Sequence, residues 1–195
     1  VLSTHKPDTL TLEGEGVAIH GQGYSARAVT DNLAASYPKA FPGLLNIGVL
    51  HTCMDGREGH EPYAPCSLGD LMSRGYDYWA LGHVHSQEIV SRSPLVVFSG
   101  NTQGRNIREK GAKGCMLVFV EDNEITDVAF KSLDVFRWSS LELDVSGAKH
   151  IDDIFDIAER AVQREAKTVS MPSAVRISLT GSSRLHGMML SQEEH

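Results

Sequence analysis

Short apolar blocks alternate with glycine-rich and polar stretches through the first part of the chain, a pattern typical of α/β proteins. Apolar positions recur with helical spacing after Ser25 and predict a helix that runs from a cap at this residue to Pro38. Ser67 and Asp70 form a capping-box pattern, which predicts a short helix that ends at Gly75. The strands predicted here are 17–20, 47–50 and 77–81, with a loop over 52–65.

Closely spaced short strands and one helix are predicted after residue 85. Asp122 and Asn123 are suited to the tip of a hairpin. Apolar residues between 151 and 162 recur every three or four positions, which predicts an amphipathic helix that packs in a core or between domains. The remaining predicted strands are 89–90, 95–98, 116–120, 125–130 and 175–179. We therefore expect one domain over residues 1–140 and the start of a second, accessory domain over 141–195.

Composition limits the class of protein. A chain of 195 residues, 41% hydrophobic and 22% charged, is long enough to bury a core. The net charge of −7 argues against a general nucleic-acid binder, although a local basic surface can act within an acidic whole. We see no signal-peptide pattern and no apolar run near the roughly 18 residues that cross a bilayer. Three scattered cysteines without CxxC spacing favour a reducing, cytoplasmic compartment over a disulfide framework or a structural zinc site.

Histidines follow two of the predicted strands at their carboxyl ends. His51 ends the second strand, and His83 and His85 come directly after the third. Ligands bind at this edge of the sheet in α/β folds, and histidine is the commonest protein ligand for metals. Imidazoles at neighbouring strand ends can reach both ions of a two-metal phosphoesterase centre, and Gly82 would give the backbone freedom to turn there. Three separately buried or capped histidines are the alternative, but their shared position favours metal ligands.

Sequence motifs around these histidines resemble a known family. Gly82-His83-Val84-His85 and Gly48-Val49-Leu50-His51-Thr52 resemble the last two signatures of the calcineurin-like metallophosphoesterases. The wider segments 46–52, 63–68, 75–85 and 100–105 resemble its DNA-repair exonuclease branch, which includes the nuclease subunit of the bacterial SbcCD complex. The resemblance implies an α/β fold, an αββα sandwich of mixed sheets with flanking helices. It also implies a nuclease that acts on DNA ends with two metal ions, usually Mn²⁺, His51 and His83 binding one and His85 the other.

The family's remaining ligand motifs are absent from this sequence. They are Asp-x-His, Gly-Asp-x-x-Asp and Gly-Asn-His-Asp, and they precede the histidine motifs. Gly69-Asp70 lies inside a predicted helix, and Gly100-Asn101 is followed by Thr102 instead of histidine. Because the chain also begins at Val1, we expect the second half of a catalytic domain with only part of the ligand set. The family's acid–base histidine is not in it, so we assign no catalytic residue and expect the chain to be inactive alone.

A basic loop after strand 95–98 is the candidate for substrate binding. Gln103, Arg105 and Arg108 could grip phosphates beside the metals, since guanidinium groups suit bidentate contacts to phosphate. The loop also carries Lys110 and Lys113, and a solvated turn is the alternative interpretation. By resemblance, the partners are DNA ends and an SbcC-type ATPase. An exposed inner sheet face could also join two copies in a homodimer.

Two other functions remain open. One is a phosphoesterase that acts on small nucleotides or phosphoproteins, and the other is a non-catalytic module that binds DNA or a partner. Several further residues have a structural interpretation or a weak case as ligands. We expect His20, Cys53 and Trp79 to be structural, His60 to be exposed, and Asp55 and Glu58 to be only minor candidates as substitute carboxylates.

Overall fold

The computed structural model describes residues 2–54, 63–185 and 187. These residues divide between two compact units, one with residues up to 102 and 113–132, the other with 103–112 and residues from 133 onward. The first unit contains β1 (Asp8–Leu12), β2 (Val17–Gly21), β3 (Leu45–His51), α1 (Leu68–Met72), β4 (Tyr78–Gly82), β5 (Glu88–Arg92), β6 (Leu95–Phe98), β7 (Gly114–Glu121) and β8 (Glu124–Ser132). It also has two 3₁₀ turns, Glu13–Glu15 and Leu33–Ser36. The second unit contains β9 (Arg137–Asp144), α2 (Ile151–Thr168) and β10 (Ser173–Thr180).

A six-stranded mixed sheet organises the first unit. Its strand order is β1-β2-β3-β4-β6-β5, and β2, β3, β4 and β6 run parallel between two antiparallel edge strands. The carboxyl ends of the four parallel strands therefore lie along one edge of the sheet. Each of these strands was expected from its apolar block, and the α/β class with mixed sheets is confirmed.

The helix expected from Ser25 to Pro38 is wrong, because only a 3₁₀ turn over Leu33–Ser36 forms there. The carbonyl of Val29 accepts a hydrogen bond from the backbone N–H of Ala64 at 2.7 Å, so this segment pairs with another part of the chain. Val29 is β-branched, and the polar residues that follow it compete for backbone hydrogen bonds, which weakens a helix. The segment has helical spacing of its apolar residues, but its pairing with another part of the chain determines its structure.

Other local predictions hold. Ser67 and Asp70 form the expected capping box at the start of α1. Asp122 and Asn123 both adopt positive φ (51° and 64°) at the tip of the β7–β8 hairpin, as expected of a tight turn. In the second unit β9 and β10 pair in parallel, and α2 buries Ile154 and Ala161. The domain limits at 140 and 141 stay a prediction. No helix in the described residues is long and apolar enough to cross a membrane.

The core of the first unit is arranged around a stack of three rings. His20 stacks on Tyr76 at 4.4 Å between ring centroids, and Tyr76 stacks on Trp79 at 4.8 Å. His20 is fully buried, with Nδ1 2.8 Å from Thr9 Oγ1 and Nε2 3.1 Å from Asn46 Oδ1. This satisfied environment confirms the structural interpretation of His20. Burial is the main cause of the lowered pKa of this imidazole, which favours its neutral form.

The ring of Trp79 lies over Gly48, the residue paired with it on β3. We expect Gly48→Ala to lower the free energy of unfolding by about 1–3 kcal/mol, because the added methyl would overlap the indole ring. Gly14→Ala is the matched control, since no heavy atom lies within 4 Å of the position that its added methyl would occupy and its φ is ordinary. Urea unfolding of both variants checks this expectation. Equal stabilities would show that Trp79 moves aside without penalty.

Candidate metal centre

Two of the three predicted ligands face each other at the carboxyl edge of the sheet. His51 ends β3 and pairs in register with Gly82, the last residue of β4, so His83 follows directly beside it. The Nε2 atom of His51 lies 3.1 Å from Nδ1 of His83, and the ring centroids are 5.0 Å apart. His85 lies close enough to His51 to perturb its titration. The parallel pairing of β3 and β4 therefore brings the histidines together, as the sequence pattern predicted.

The glycine before the histidine pair has a different role from the one expected. Gly82 has no positive φ, and a methyl there would lie 3.1 Å from Nδ1 of His51, so its value is the space it leaves for that imidazole. The unusual backbone belongs to His83, whose φ is 110°. A non-glycine residue at such a φ is strained, and strain of this kind concentrates at functional sites.

The His51 imidazole favours its neutral form. Its pKa lies below the usual value, first because burial disfavours the charged ring and second because a charged His85 repels it. A neutral imidazole has the lone pair that a metal ligand needs. Tyr24 supports this ring: its hydroxyl donates to the backbone carbonyl of His51 at 2.8 Å, and its ring meets the imidazole edge to face at 5.3 Å. Burial is the main cause that raises the pKa of Tyr24 to about 12, so the hydroxyl stays protonated.

The facing nitrogens fit a shared cation. Metal–imidazole bonds are about 2.0–2.1 Å long, so two nitrogens on one ion lie about 3.0–3.4 Å apart. The 3.1 Å between His51 and His83 is within this range and equally suits a hydrogen bond between the rings. No group of three or more His, Cys, Asp or Glu side chains in the described residues is arranged to hold a metal ion. The described geometry is thus a facing pair of imidazoles, with His85 two residues beyond His83.

Tyr24 and Tyr63 are the residues that the sequence analysis missed at this site. The ring of Tyr63 meets His83 at 5.8 Å, much as Tyr24 meets His51. Tyr24 follows the carboxyl end of β2, and this position on the same sheet edge was a usable signal. Cys53 and Trp79 are fully buried, as expected for structural residues. The minor candidates Asp55, Glu58 and His60 lie outside the described residues.

Gln103, Arg105 and Arg108 belong to the second unit, and each is described within it. Gln103 is bonded to backbone at both ends of its amide: Nε2 donates to Phe136 O at 2.7 Å, and Oε1 accepts from Val135 N at 3.1 Å. Arg105 is exposed and pairs with Glu109 at 2.9 Å, while Arg108 is exposed. Gln103 therefore secures the loop. Substrate binding by the three residues stays a prediction.

A cavity in the first unit lies away from the histidines. It measures about 630 Å³ and is lined by residues near the amino ends of β4 and β6, including Tyr76, Asp77 and Leu95, together with the tip of the β7–β8 hairpin. None of the predicted ligand residues lines it. Its position at the opposite edge of the sheet separates it from the candidate metal centre.

The strain at His83 can be measured. We expect His83→Gly to be at least as stable as the parent chain without metal, because releasing about 1–3 kcal/mol of backbone strain offsets the lost ring contacts. His85→Gly is the control, since this nearby residue has no positive φ and should lose about 0.5–1 kcal/mol through chain entropy. Chemical denaturation in chelator compares them. A larger decrease in the free energy of unfolding for His83→Gly than for His85→Gly would contradict the presence of backbone strain at His83.

Two comparisons with known proteins indicate the family that this chain resembles. Residues 138–195 match the family model described as metallophosphoesterase YhaO, middle domain. The chain is 39% identical over 186 residues to the uncharacterized metallophosphoesterase YhaO of Bacillus subtilis (strain 168), an alignment that covers 93% of this chain and 45% of that protein. The chain thus spans less than half the length of the curated relative that it matches, and neither similarity reaches the DNA-repair exonuclease branch. Together the two similarities support the assignment of this chain to the metallophosphoesterases.

Proposed function

We propose that the chain contributes part of the metal centre of a phosphodiesterase that cleaves DNA at its ends. The observation that carries the proposal is the facing pair of imidazoles, with His51 Nε2 and His83 Nδ1 3.1 Å apart at the carboxyl edge of the sheet. Similarity to metallophosphoesterases supports metal-dependent phosphoester hydrolysis in general. The DNA substrate rests on the resemblance of segments 63–68 and 100–105, around Tyr63 and Gln103, to repair exonucleases.

His51 and His83 would hold one divalent ion and His85 a second. When bound, such ions stabilise the negative charge that develops on phosphoryl oxygens. The chain's own residues position the ligands: Tyr24 holds the backbone of His51, and Gly82 leaves room for its ring. Imidazoles alone favour zinc, nickel or copper over manganese, which prefers carboxylate oxygens. A preference for Mn²⁺ would therefore depend on carboxylates added to these histidines.

The reaction is hydrolysis of a phosphodiester. An oxygen–phosphorus bond forms with water, the bond from phosphorus to a sugar oxygen breaks, and that oxygen takes up a proton. Since the sequence lacks the family's acid–base histidine motif, we expect the chain alone to be inactive. Arg105 and Arg108 are exposed guanidinium groups that could contact DNA phosphates. An SbcC-type ATPase and a second copy of the chain are the proposed protein partners.

Hydrolysis of linear duplex DNA with Mn²⁺ tests the proposal, in this chain and in the same gene product extended upstream. We expect activity only in the extended protein, and we expect His85→Ala to reduce it at least a hundredfold, by analogy with the loss of a group essential to a catalytic centre. His5→Ala is the control, because His5 is an exposed histidine in a loop before β1. Equal losses in the two variants would contradict a specific role for His85.

Two outcomes would replace the proposal with its alternatives. Hydrolysis of bis-p-nitrophenyl phosphate without cleavage of DNA would favour a phosphodiesterase of small substrates. No hydrolysis of either substrate by the extended protein, together with no effect of Mn²⁺ on its imidazole NMR signals, would favour a non-catalytic binding module. Both assays use the same preparations, so the three functions can be separated directly.

A further inference from the structure

Lys113 is a buried lysine whose ammonium group contacts the candidate metal centre through the backbone. Only 5% of the residue is exposed, and its Nζ donates to the carbonyl of His85 at 2.9 Å. Lysines are seldom buried unless their charge has a partner. The sequence pattern placed Lys113 in a basic loop, either one that grips phosphates or a solvated turn, but its burial and its hydrogen bond point to a different task.

The backbone beside Lys113 is held in place from two directions. The N–H of Gly114 donates to the carbonyl of Asn101 at 3.0 Å, which ties the start of β7 to the segment after β6. A methyl group on Gly114 would overlap the carbonyl of Lys131, so β7 lies directly against β8 at this point. Lys113 therefore extends toward His85 from a fixed position.

Gly100 lies close to the same histidine segment and, having no side chain, leaves room for it. It has φ +75°, and a methyl at this position would lie 3.0 Å from the carbonyl oxygen of His85 and 3.1 Å from the N–H nitrogen of Gln87. The carbonyl of His85 thus accepts a hydrogen bond from Lys113 in a place where position 100 has no room for a side chain. Although the His85 side chain is exposed, its backbone is held by Lys113.

We propose that Lys113 is a positioning residue for metal binding, one that holds His85 where its imidazole can serve as a ligand. The inference rests on the proposed function, in which His85 binds an ion. An exposed histidine on a free loop would lose conformational entropy when it binds a metal, and fixing the loop beforehand reduces this loss. Residues that orient metal ligands in this way typically change affinity by about 10–100-fold when they are replaced.

The test is a titration of the chain with MnCl₂, followed through paramagnetic broadening of imidazole C–H signals in NMR spectra. We expect Lys113→Met to raise the apparent Kd for Mn²⁺ about tenfold or more, because the carbonyl of His85 loses the hydrogen bond from Lys113. Lys39→Met is the matched control. This variant removes another lysine–carbonyl hydrogen bond, the one from Lys39 Nζ to the carbonyl of Ser73 at 2.6 Å. Lys39 precedes β3 and Ser73 precedes β4, so the variant should leave the Kd for Mn²⁺ unchanged.

Stability and affinity together separate positioning from a purely structural role. In Lys113→Met, the free energy of unfolding in urea without metal should change less than the free energy of Mn²⁺ binding does. Lys113→Arg keeps a charged donor and should bind Mn²⁺ more tightly than Lys113→Met. If Lys113→Met does not fold, Lys113→Gln shortens the donor by one bond and should weaken binding in the same direction. An unchanged Kd in the folded Lys113 variants would overturn the inference.

The same titration distinguishes this failure from failure of the proposed function. If Mn²⁺ broadens the parent's signals, His85→Ala abolishes the effect and Lys113→Met does not alter it, then the metal site stands and the role of Lys113 is wrong. If neither Mn²⁺ nor Ni²⁺, an ion that imidazoles favour, broadens the parent's imidazole signals at all, the metal site and this inference are both refuted.

Discussion

The packing of Trp79 across Gly48 sets the geometry on which the candidate metal centre depends. These residues are paired neighbours on β4 and β3, and the indole ring fills the space that a side chain at position 48 would occupy. A slip of one residue between the strands would point every side chain to the opposite face and place the ring against Val49 or Ile47 instead. The same register places His51 opposite Gly82, three residues further along each strand. Core packing at one level of the sheet thus determines which imidazoles meet at its edge.

The part of the fold that followed from the sequence is the part dictated by local chemistry. Four apolar blocks became the parallel strands, Ser67 with Asp70 capped α1, and Asp122 with Asn123 formed the hairpin tip. The expected helix after Ser25 failed because the carbonyl of Val29 bonds to Ala64, a partner 35 positions away that helical periodicity does not detect. Long-range pairing of this kind depends on the assembled core, so a single sequence carries little sign of it.

The candidate site shows the same division. Position after a strand end was enough to bring His51 and His83 together, because parallel strands share their carboxyl edge. The same positional signal did not reveal the roles of Gly82, Tyr24 or Lys113, because these roles depend on which atoms lie opposite each residue in the folded chain. Gly82 makes room for a ring on the neighbouring strand, and Tyr24 and Lys113 each donate to a histidine carbonyl. Residue type and spacing indicated the candidate ligands, whereas the groups that contact their backbone became apparent only from the structure.

Strain and restraint occur within three residues of one another in the segment from His83 to His85. His83 adopts a φ of 110°, a conformation that persists only where the surrounding structure determines it fully. The restraint comes from both ends: β4 ends at Gly82 in fixed register with His51, and the carbonyl of His85 accepts a hydrogen bond from Lys113. A segment fixed at both ends cannot relax its middle without breaking one of these contacts. The chain can therefore hold two imidazoles in a strained but defined arrangement, which is what a metal centre requires of its ligands before the ion arrives.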